Sequence, residues 1–453
     1  MKAAHRLGIL HAVGVVVGAI IGIGIFLTPA RVARVAGSPG LALALWGAGG
    51  LLALCGAWSL AEVGSRYPVR GGQLRALEDL LGPRFAWLYG WSLLVAIQTG
   101  VLVLVLLFAA AHLGRALGCE WGELQTAGAA AVLLGVLAAA NLAGLRQGAR
   151  LQSATSAAKL LILALVAVLG LLAVTGLLPA EPPPRAPVAG EERPWILAGL
   201  AAVLFSFGGF HQLTWIASEV RDPARTVPRA IVLGLGLVLF AYLAANLAWF
   251  ALLPYETVAA SPFLAADAVG AVLPGAGERL TAGALALSAW GLANASLLTA
   301  PRVYQALADR GLFFRVFSGE HAASGVPRPA ILIQTGLALG LLLLCGVRLG
   351  SGEEAWSLRA VMDQLVNGVV FVDWSFHILT CVGLLLLHRR GAAPAPAPCP
   401  GLPWVPAVFI LGAGLALLAT FLDPAIRTSS LWGVAVLGTG ILLDPSRRRR
   451  LSC

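Results

Sequence analysis

Long apolar runs, separated by short arginine-bearing connections, recur from one end of this chain to the other. A helix that crosses a bilayer needs about 20 mainly apolar residues. Roughly twelve runs meet that length, centred near Ile21, Leu52, Val101, Leu134, Leu165, Phe205, Val238, Ala289, Leu337, Phe371, Leu411 and Val436. The pattern predicts an all-α membrane protein, with residues 1–453 forming a single transmembrane domain.

The first run carries a defect. Gly14, Gly18, Gly22 and Gly24 crowd into it and Pro29 follows, although each glycine weakens a helix by about 1 kcal/mol relative to alanine. In hydrocarbon an opened turn is tolerated only where protein, water or a ligand satisfies the freed backbone groups. Five runs later, Leu204 to Glu219 reads LFSFGGFHQLTWIASE, and Gly208 and Gly209 interrupt a second apolar helix. Glycines in membrane helices also serve close packing. Two matching interruptions, however, each opening a set of five spans, are the signature of an inverted repeat around a central site. The expected repeats cover about 8–178 and 194–390, with two additional helices at about 402–445.

The predicted breaks suit a zwitterion. The second segment of the first break offers the amides of Ile23, Gly24 and Ile25, at the positive end of a helix dipole, to a carboxylate. The carbonyls of Ile20 and Ile21, with those of Phe205 and Gly208 in the second break, can accept from an ammonium. No ionised side chain is required, which avoids the cost of burying one. Gly22 and Gly209 complete the two openings, and only His211 adds a titratable group nearby. The pairing fits an α-amino acid.

Composition agrees, with 59% hydrophobic and 11% charged residues against about 25% charged in an ordinary soluble domain. The net charge of +10 is not a nucleic-acid signal. With the amino terminus inside, 21 of the 31 basic residues fall on the cytoplasmic side, which predicts cytoplasmic placement of both termini. Arg447 to Arg450 then read as an anchor on anionic lipid. Met1 to Ala36 lacks the cleavage pattern of a removable signal peptide, so the first span is expected to act as the signal. Cys55, Cys345 and Cys381 lie in apolar runs, and Cys399 and Cys453 are expected to face the cytoplasm. Cys119 alone falls in an outer loop, where a thiol either pairs with another chain or stays inert.

Catalysis finds no support. The seven histidines are scattered, and no G-x-S-x-G has its strand–turn–helix context. Gly22-Ile23-Gly24 follows no strand and is no nucleotide loop. The sequence calls for no cofactor and no metal, and no ring of charged pore segments suggests a channel.

Several stretches together resemble the light subunits of heteromeric amino-acid transporters, the L-type branch of the amino acid–polyamine–organocation superfamily. GAIIGIGIFLTP is similar to that family's G-x-I-I-G-S-G-I-F, and AGSPGLALALW and AEVGSRYPVRGG continue the likeness through span two. LFSFGGFHQLTWIASEVRDPARTVPRAI resembles the family's F-A-Y-G-G-W-N stretch and its extension, and GLANASLLTAPRVYQALADRG its span eight. The resemblance implies a LeuT-like fold, a 5+5 inverted repeat with 12 transmembrane helices in which helices 1 and 6 unwind at mid-membrane. It implies sodium-independent exchange of L-amino acids, neutral and also cationic, by alternating access in the plasma membrane.

Residue by residue, the resemblance places Lys159 where sodium-coupled relatives bind a cation. From the residues alone, an intramembrane lysine is functional by default or snorkels to the interface. Phe205 matches the aromatic that closes over substrate, and Phe207 and Asn294 join the candidate substrate-binding residues. Cys119 matches the cysteine that bonds a single-pass glycoprotein heavy chain. The sequon at Asn294 falls inside span eight and is discounted, since glycosylation needs a surface site.

Three departures bear on substrate. Ile23 replaces a frequent serine, His211 replaces an asparagine, and Asp373 stands where L-type members carry asparagine. The two titratable groups can favour a cationic substrate, carry a proton, or bond neighbouring helices. A proton- or sodium-coupled symporter and a transport-dead amino-acid sensor are the alternatives to exchange.

Overall fold

Every regular segment among the described residues is helical, apart from one isolated bridge between Leu7 and Val220. The computed structural model describes residues 7–69, 72–143, 145–178, 196–318, 327–350 and 357–444. In a hydrocarbon medium a helix is the way for a lone segment to satisfy its own amides and carbonyls, so apolar runs of this length fold as helices.

The first run forms α1 (Ile9–Ile20) and α2 (Gly24–Ala36), bent by 48° across Ile21, Gly22 and Ile23. α2 ends at Gly37, whose φ of 71° lets its amide cap the Ala33 carbonyl. Ser38 caps α3 (Pro39–Arg66): its hydroxyl accepts from the Leu41 amide at 3.4 Å, behind Pro39 at the first helical position. α4 (Gly72–Leu81) and α5 (Pro83–Ser92) follow. A π-helical turn, Leu93–Ile97, joins α5 to α6 (Gln98–Ala116). α7 (Glu123–Ala143) and α8 (Leu145–Val174) close the first half.

The second half opens on α9 (Ile196–Phe207) and α10 (Gln212–Trp215), which flank a turn at 208–211. Then come α11 (Pro223–Leu252) and two short helices, α12 (Tyr255–Ala260) and α13 (Leu264–Gly270). α14 (Ala276–Asp309), α15 (Arg328–Leu349) and α16 (Leu358–Arg389) complete it. α17 (Trp404–Leu422) and α18 (Pro424–Leu442) stand after both halves.

Among the described residues eight helices are long and apolar enough to cross a membrane singly, and the bent pair α1–α2 makes a ninth. This is fewer than the twelve spans expected. Leu160–Val174 and Ile426–Leu442 are shorter apolar helices, and α9 is only 12 residues long.

Helix contacts come in matching sets. α2 packs on α9, α3 on α11, α6 on α14 and α7 on α15, each pair joining the same position of the two halves. Contacts between unlike positions recur as well: α1–α11 is mirrored by α3–α9, and α8–α14 by α6–α16. A two-fold relation between halves produces such a pattern. Buried polar groups fasten the scaffold. Gln334 on α15 donates to Thr99 Oγ1 at 2.7 Å and accepts from the Tyr304 hydroxyl at 2.7 Å, tying α6, α14 and α15 together. Cys399, expected to face the cytoplasm, is buried beside Glu62, which accepts from its amide at 2.8 Å.

Candidate functional site

Both breaks follow from where the helical hydrogen bonds stop. In the first, the Ile21 amide still reaches the Val17 carbonyl at 2.8 Å, and the Gly22 amide turns back to Ile20 at 2.7 Å. The next helix begins with the amides of Phe26 and Leu27, both on the Ile23 carbonyl at 3.0 Å. The amides of Ile23, Gly24 and Ile25 therefore donate to no group among the described residues. The carbonyl of Ile21 accepts from none, but that of Ile20 was wrongly expected to be free. It accepts from the Gly22 amide and from the Tyr242 hydroxyl at 3.1 Å, which fills both lone pairs.

In the second break the Gly208 amide bonds the Phe205 carbonyl at 3.1 Å, so that carbonyl too is engaged. The Gly208 carbonyl accepts from no described group. Gly209 has φ of 100°, open to glycine and strained for other residues.

The breaks touch. A Cβ on Gly24 would lie 2.8 Å from Ser206 Cα, and one on Gly209 would lie 2.6 Å from the Ala19 carbonyl oxygen. Thr28 Oγ1 and Ser206 Oγ are 2.7 Å apart, and the Tyr242 hydroxyl reaches the Ser206 carbonyl as well as that of Ile20, both at 3.1 Å. The glycines thus let two backbones approach, and Tyr242 from α11 pins them.

A cavity of about 140 Å³ lies against this crossing. Ile20, Gly22, Ile23 and Gly24 line one side, and Phe205, Gly208, Gly209 and His211 another. Asp373 reaches in from α16. The remaining candidates lie outside its walls. Ile21 offers only its backbone, Ile25 is fully buried, and Phe207 packs edge-on against Trp46 at 6.1 Å. Asn294 turns toward α7, where its Oδ1 accepts from Asn141 at 2.9 Å. Lys159 belongs to α8, but its side chain lies outside the described residues.

Sequence reasoning missed three contributors. Gln98 lines the cavity with its Oε1 buried and without a partner among the described residues, directly after the π-helical turn; a glutamine inside an apolar run was the available signal. Tyr242 could have been noticed as a hydroxyl in an otherwise apolar span. His377, one turn beyond Asp373, completes with His211 and Asp373 a group of three buried side chains able to hold a metal ion.

Each end of the crossing is fastened. In the last turns of α2, Arg34 and Arg31 face Asp363 of α16 at 3.5 and 3.8 Å, and Arg34 also donates to the Ala259 carbonyl at 2.9 Å. A second cavity of about 270 Å³ lies there, among Leu27, Arg34, Phe108, Trp121 and Asp363. Before α1, Leu7 exchanges backbone bonds with Glu219 and Arg221, both at 2.9 Å. Cys119 follows α6 in an exposed turn, its thiol free.

Chemically, the wall of the site presents the free amides of Ile23 and Gly24 to an anion, the free carbonyl of Gly208 to a hydrogen-bond donor, and a carboxylate at its side. No lysine or arginine is in its wall.

Residues 7–442 match the amino acid permease family. The chain is 30% identical over 446 residues to the large neutral amino acids transporter small subunit 2 of Homo sapiens, covering 96% of this chain and 79% of that protein. It is 26% identical over 449 residues to the serine/threonine exchanger SteT of Bacillus subtilis, covering 98% and 97%. To the b(0,+)-type amino acid transporter 1 of Homo sapiens it is 27% identical over 398 residues, covering 84% and 76%. Among solved structures, a mutant of the Eremococcus coleocola manganese transporter superposes with a TM-score of 0.55 at 12% identity, covering 97% of this chain and 96% of that one. That last likeness concerns the fold alone.

Proposed function

The chain belongs to the amino acid permease family, and from that premise we propose that it exchanges L-amino acids across the plasma membrane without sodium. Its coarse character is plain: a multi-pass, all-α membrane transporter of amino acids with a LeuT-like fold, and not an enzyme. One observation carries the finer reading. The free amides of Ile23 and Gly24 and the free carbonyl of Gly208 line a cavity without basic side chains, and the free Ile25 amide and Ile21 carbonyl adjoin them in the chain. A substrate carboxylate takes the amides, at the positive end of α2, and its ammonium takes the carbonyls. Neither group then needs a buried counter-charge.

Ile23 offers no hydroxyl, so the carboxylate depends on backbone amides alone. Phe205 is the lid over the bound substrate, and Lys159 supplies the positive charge that sodium supplies in coupled relatives. The halves are taken as about 8–178 and 194–390, followed by two helices at about 402–445, twelve spans in all with both termini in the cytoplasm. Alternating access then consists of releasing one fastening at a time: the Arg34–Asp363 pair at the end of α2, or the Leu7–Val220 bridge before α1.

The test is flux in proteoliposomes. Preloaded radiolabelled leucine leaves several-fold faster when amino acid is present outside, and uptake is unchanged when choline replaces sodium. Equal efflux into amino-acid-free buffer, or uptake abolished without sodium, defeats exchange. Binding without any flux points to a sensor.

Cys119 is the proposed link to a single-pass glycoprotein heavy chain. Its thiol is free and exposed in the turn after α6, and one relative is by name a small subunit. Co-expressed with its partner, the wild type should run as a higher-mass band on a non-reducing gel, and Cys119→Ser should lose that band. Its persistence in the variant assigns the link elsewhere.

A further inference from the structure

Beside the cavity, side chains from two elements turn unfilled donor atoms toward one another. His211 ends the second break, while Asp373 and His377 stand one turn apart on α16 and so share a face. One donor atom of each lies within 4.8 Å of those of the other two. His377 Nε2 is 3.7 Å from Asp373 Oδ2, and the imidazoles of His211 and His377 have centroids 4.6 Å apart. All three side chains are buried, and His211 Nδ1, Asp373 Oδ1 and His377 Nε2 each lack a hydrogen-bond partner among the described residues. A buried polar atom left unpaired costs about 1–3 kcal/mol. A proton fills one of these atoms. A multivalent acceptor of lone pairs fills all three.

We propose that His211, Asp373 and His377 form a binding site for a divalent transition metal of the zinc class, and that filling it arrests transport. Two imidazoles and a carboxylate are the ligand set of open zinc sites, which leave a fourth position for water or substrate. Here the fourth position faces the cavity, because His211 and Asp373 are in its wall and His377 stands behind them. Zinc–ligand bonds of about 2.0–2.1 Å set neighbouring ligand atoms about 3.4 Å apart, so the side chains draw in by about 1 Å.

A metal-bound imidazole usually hands its other ring proton to an acceptor. Gln73 is in that place, with its amide 3.0 Å from His377 Nδ1 and its buried Oε1 without a partner among the described residues. A half-turn of the amide gives that oxygen the Nδ1 proton and leaves Nε2 bare for the metal. The ion would join α16 to the second break and so clamp two elements that line the substrate path. No metal was expected from the sequence, because His211 is separated from the other two by α11 to α15.

The inference rests on this geometry and not on the exchange reading, and the binding of the metal is tested first, without transport. Purified wild-type protein should bind one Zn²⁺ per chain in equilibrium dialysis. Co²⁺ in its place should give the visible absorption of a four-coordinate nitrogen and oxygen site. Absence of stoichiometric binding to the wild type overturns the proposal outright. In proteoliposomes Zn²⁺ should inhibit leucine uptake, EDTA should restore it, and Mg²⁺ should have no effect. His377→Gln, monodisperse by gel filtration and normalised to its own zinc-free rate, should need at least about 10–100-fold more zinc for half-inhibition, because losing a ligand costs no less than losing the outer-shell partner of one. Unchanged inhibition in that variant places the metal elsewhere and overturns the assignment.

Discussion

Gly209→Val brings leucine uptake down to background while the protein still reaches the membrane in normal amount. Two costs combine at this position. The φ of 100° is open to glycine, and a side chain held in so sparse a region costs about 1–3 kcal/mol. The added Cβ would also lie 2.6 Å from the Ala19 carbonyl oxygen, so the breaks must separate before it fits. A misplacement of about 1 Å at a reacting or binding site already lowers activity about 100-fold. Gly24→Leu should behave alike, because its Cβ meets Ser206 Cα at 2.8 Å. Gly208→Ala is the contrast: its nearest new neighbour is the Phe205 carbonyl at 3.2 Å, and it keeps much of its activity. Surface biotinylation with radiolabelled uptake checks all three. Wild-type transport by Gly209→Val would show that the crossing of the breaks is not the site.

Asp373→Asn selectively removes uptake of lysine and arginine. The carboxylate lines the cavity, its Oδ1 has no partner among the described residues, and His377 Nε2 lies 3.7 Å from its Oδ2. A cationic side chain entering the cavity would meet it there. Hydrogen bonds to charged groups are worth about 1.5–3 kcal/mol. At about 1.4 kcal/mol per decade, that is about 10–100-fold in lysine uptake relative to leucine. A competition panel, with leucine uptake as the internal reference, reads the ratio. An unchanged profile reduces Asp373 to a helix-packing residue.

The fold was largely legible because its signals are local. Apolar length, glycine clusters and the five-span interval between the breaks are all counted along the chain, and each corresponds to a helix or a helix end. The backbone chemistry of the first break was legible for the same reason: the first amides of a helix have no partner within it, and the 48° bend takes those at the start of α2 off the carbonyls of α1. What stayed hidden depends on contacts across the chain. Ile20 was expected to offer its carbonyl until Tyr242, 222 positions away, was found bonded to it. Asn294 sits in a motif-matched stretch, yet its partner on α7 turns it from the cavity. Gln98 was passed over since periodicity does not reveal a π-helical turn, which re-aims the residues after it. His377 was unremarkable until the fold set it beside His211.

The Tyr242 hydroxyl carries one proton and faces two carbonyls, Ile20 at the end of α1 and Ser206 in α9, both at 3.1 Å. It can therefore follow either helix when they part and still hold a full bond, because the proton that was shared becomes undivided. Gly22, whose amide also bonds the Ile20 carbonyl, keeps that oxygen satisfied in the meantime. The number of strong hydrogen bonds is then the same before and after the separation. A carrier that must turn over repeatedly with only a substrate gradient to drive it gains from such a joint, since its two end states differ little in enthalpy at the point where they diverge.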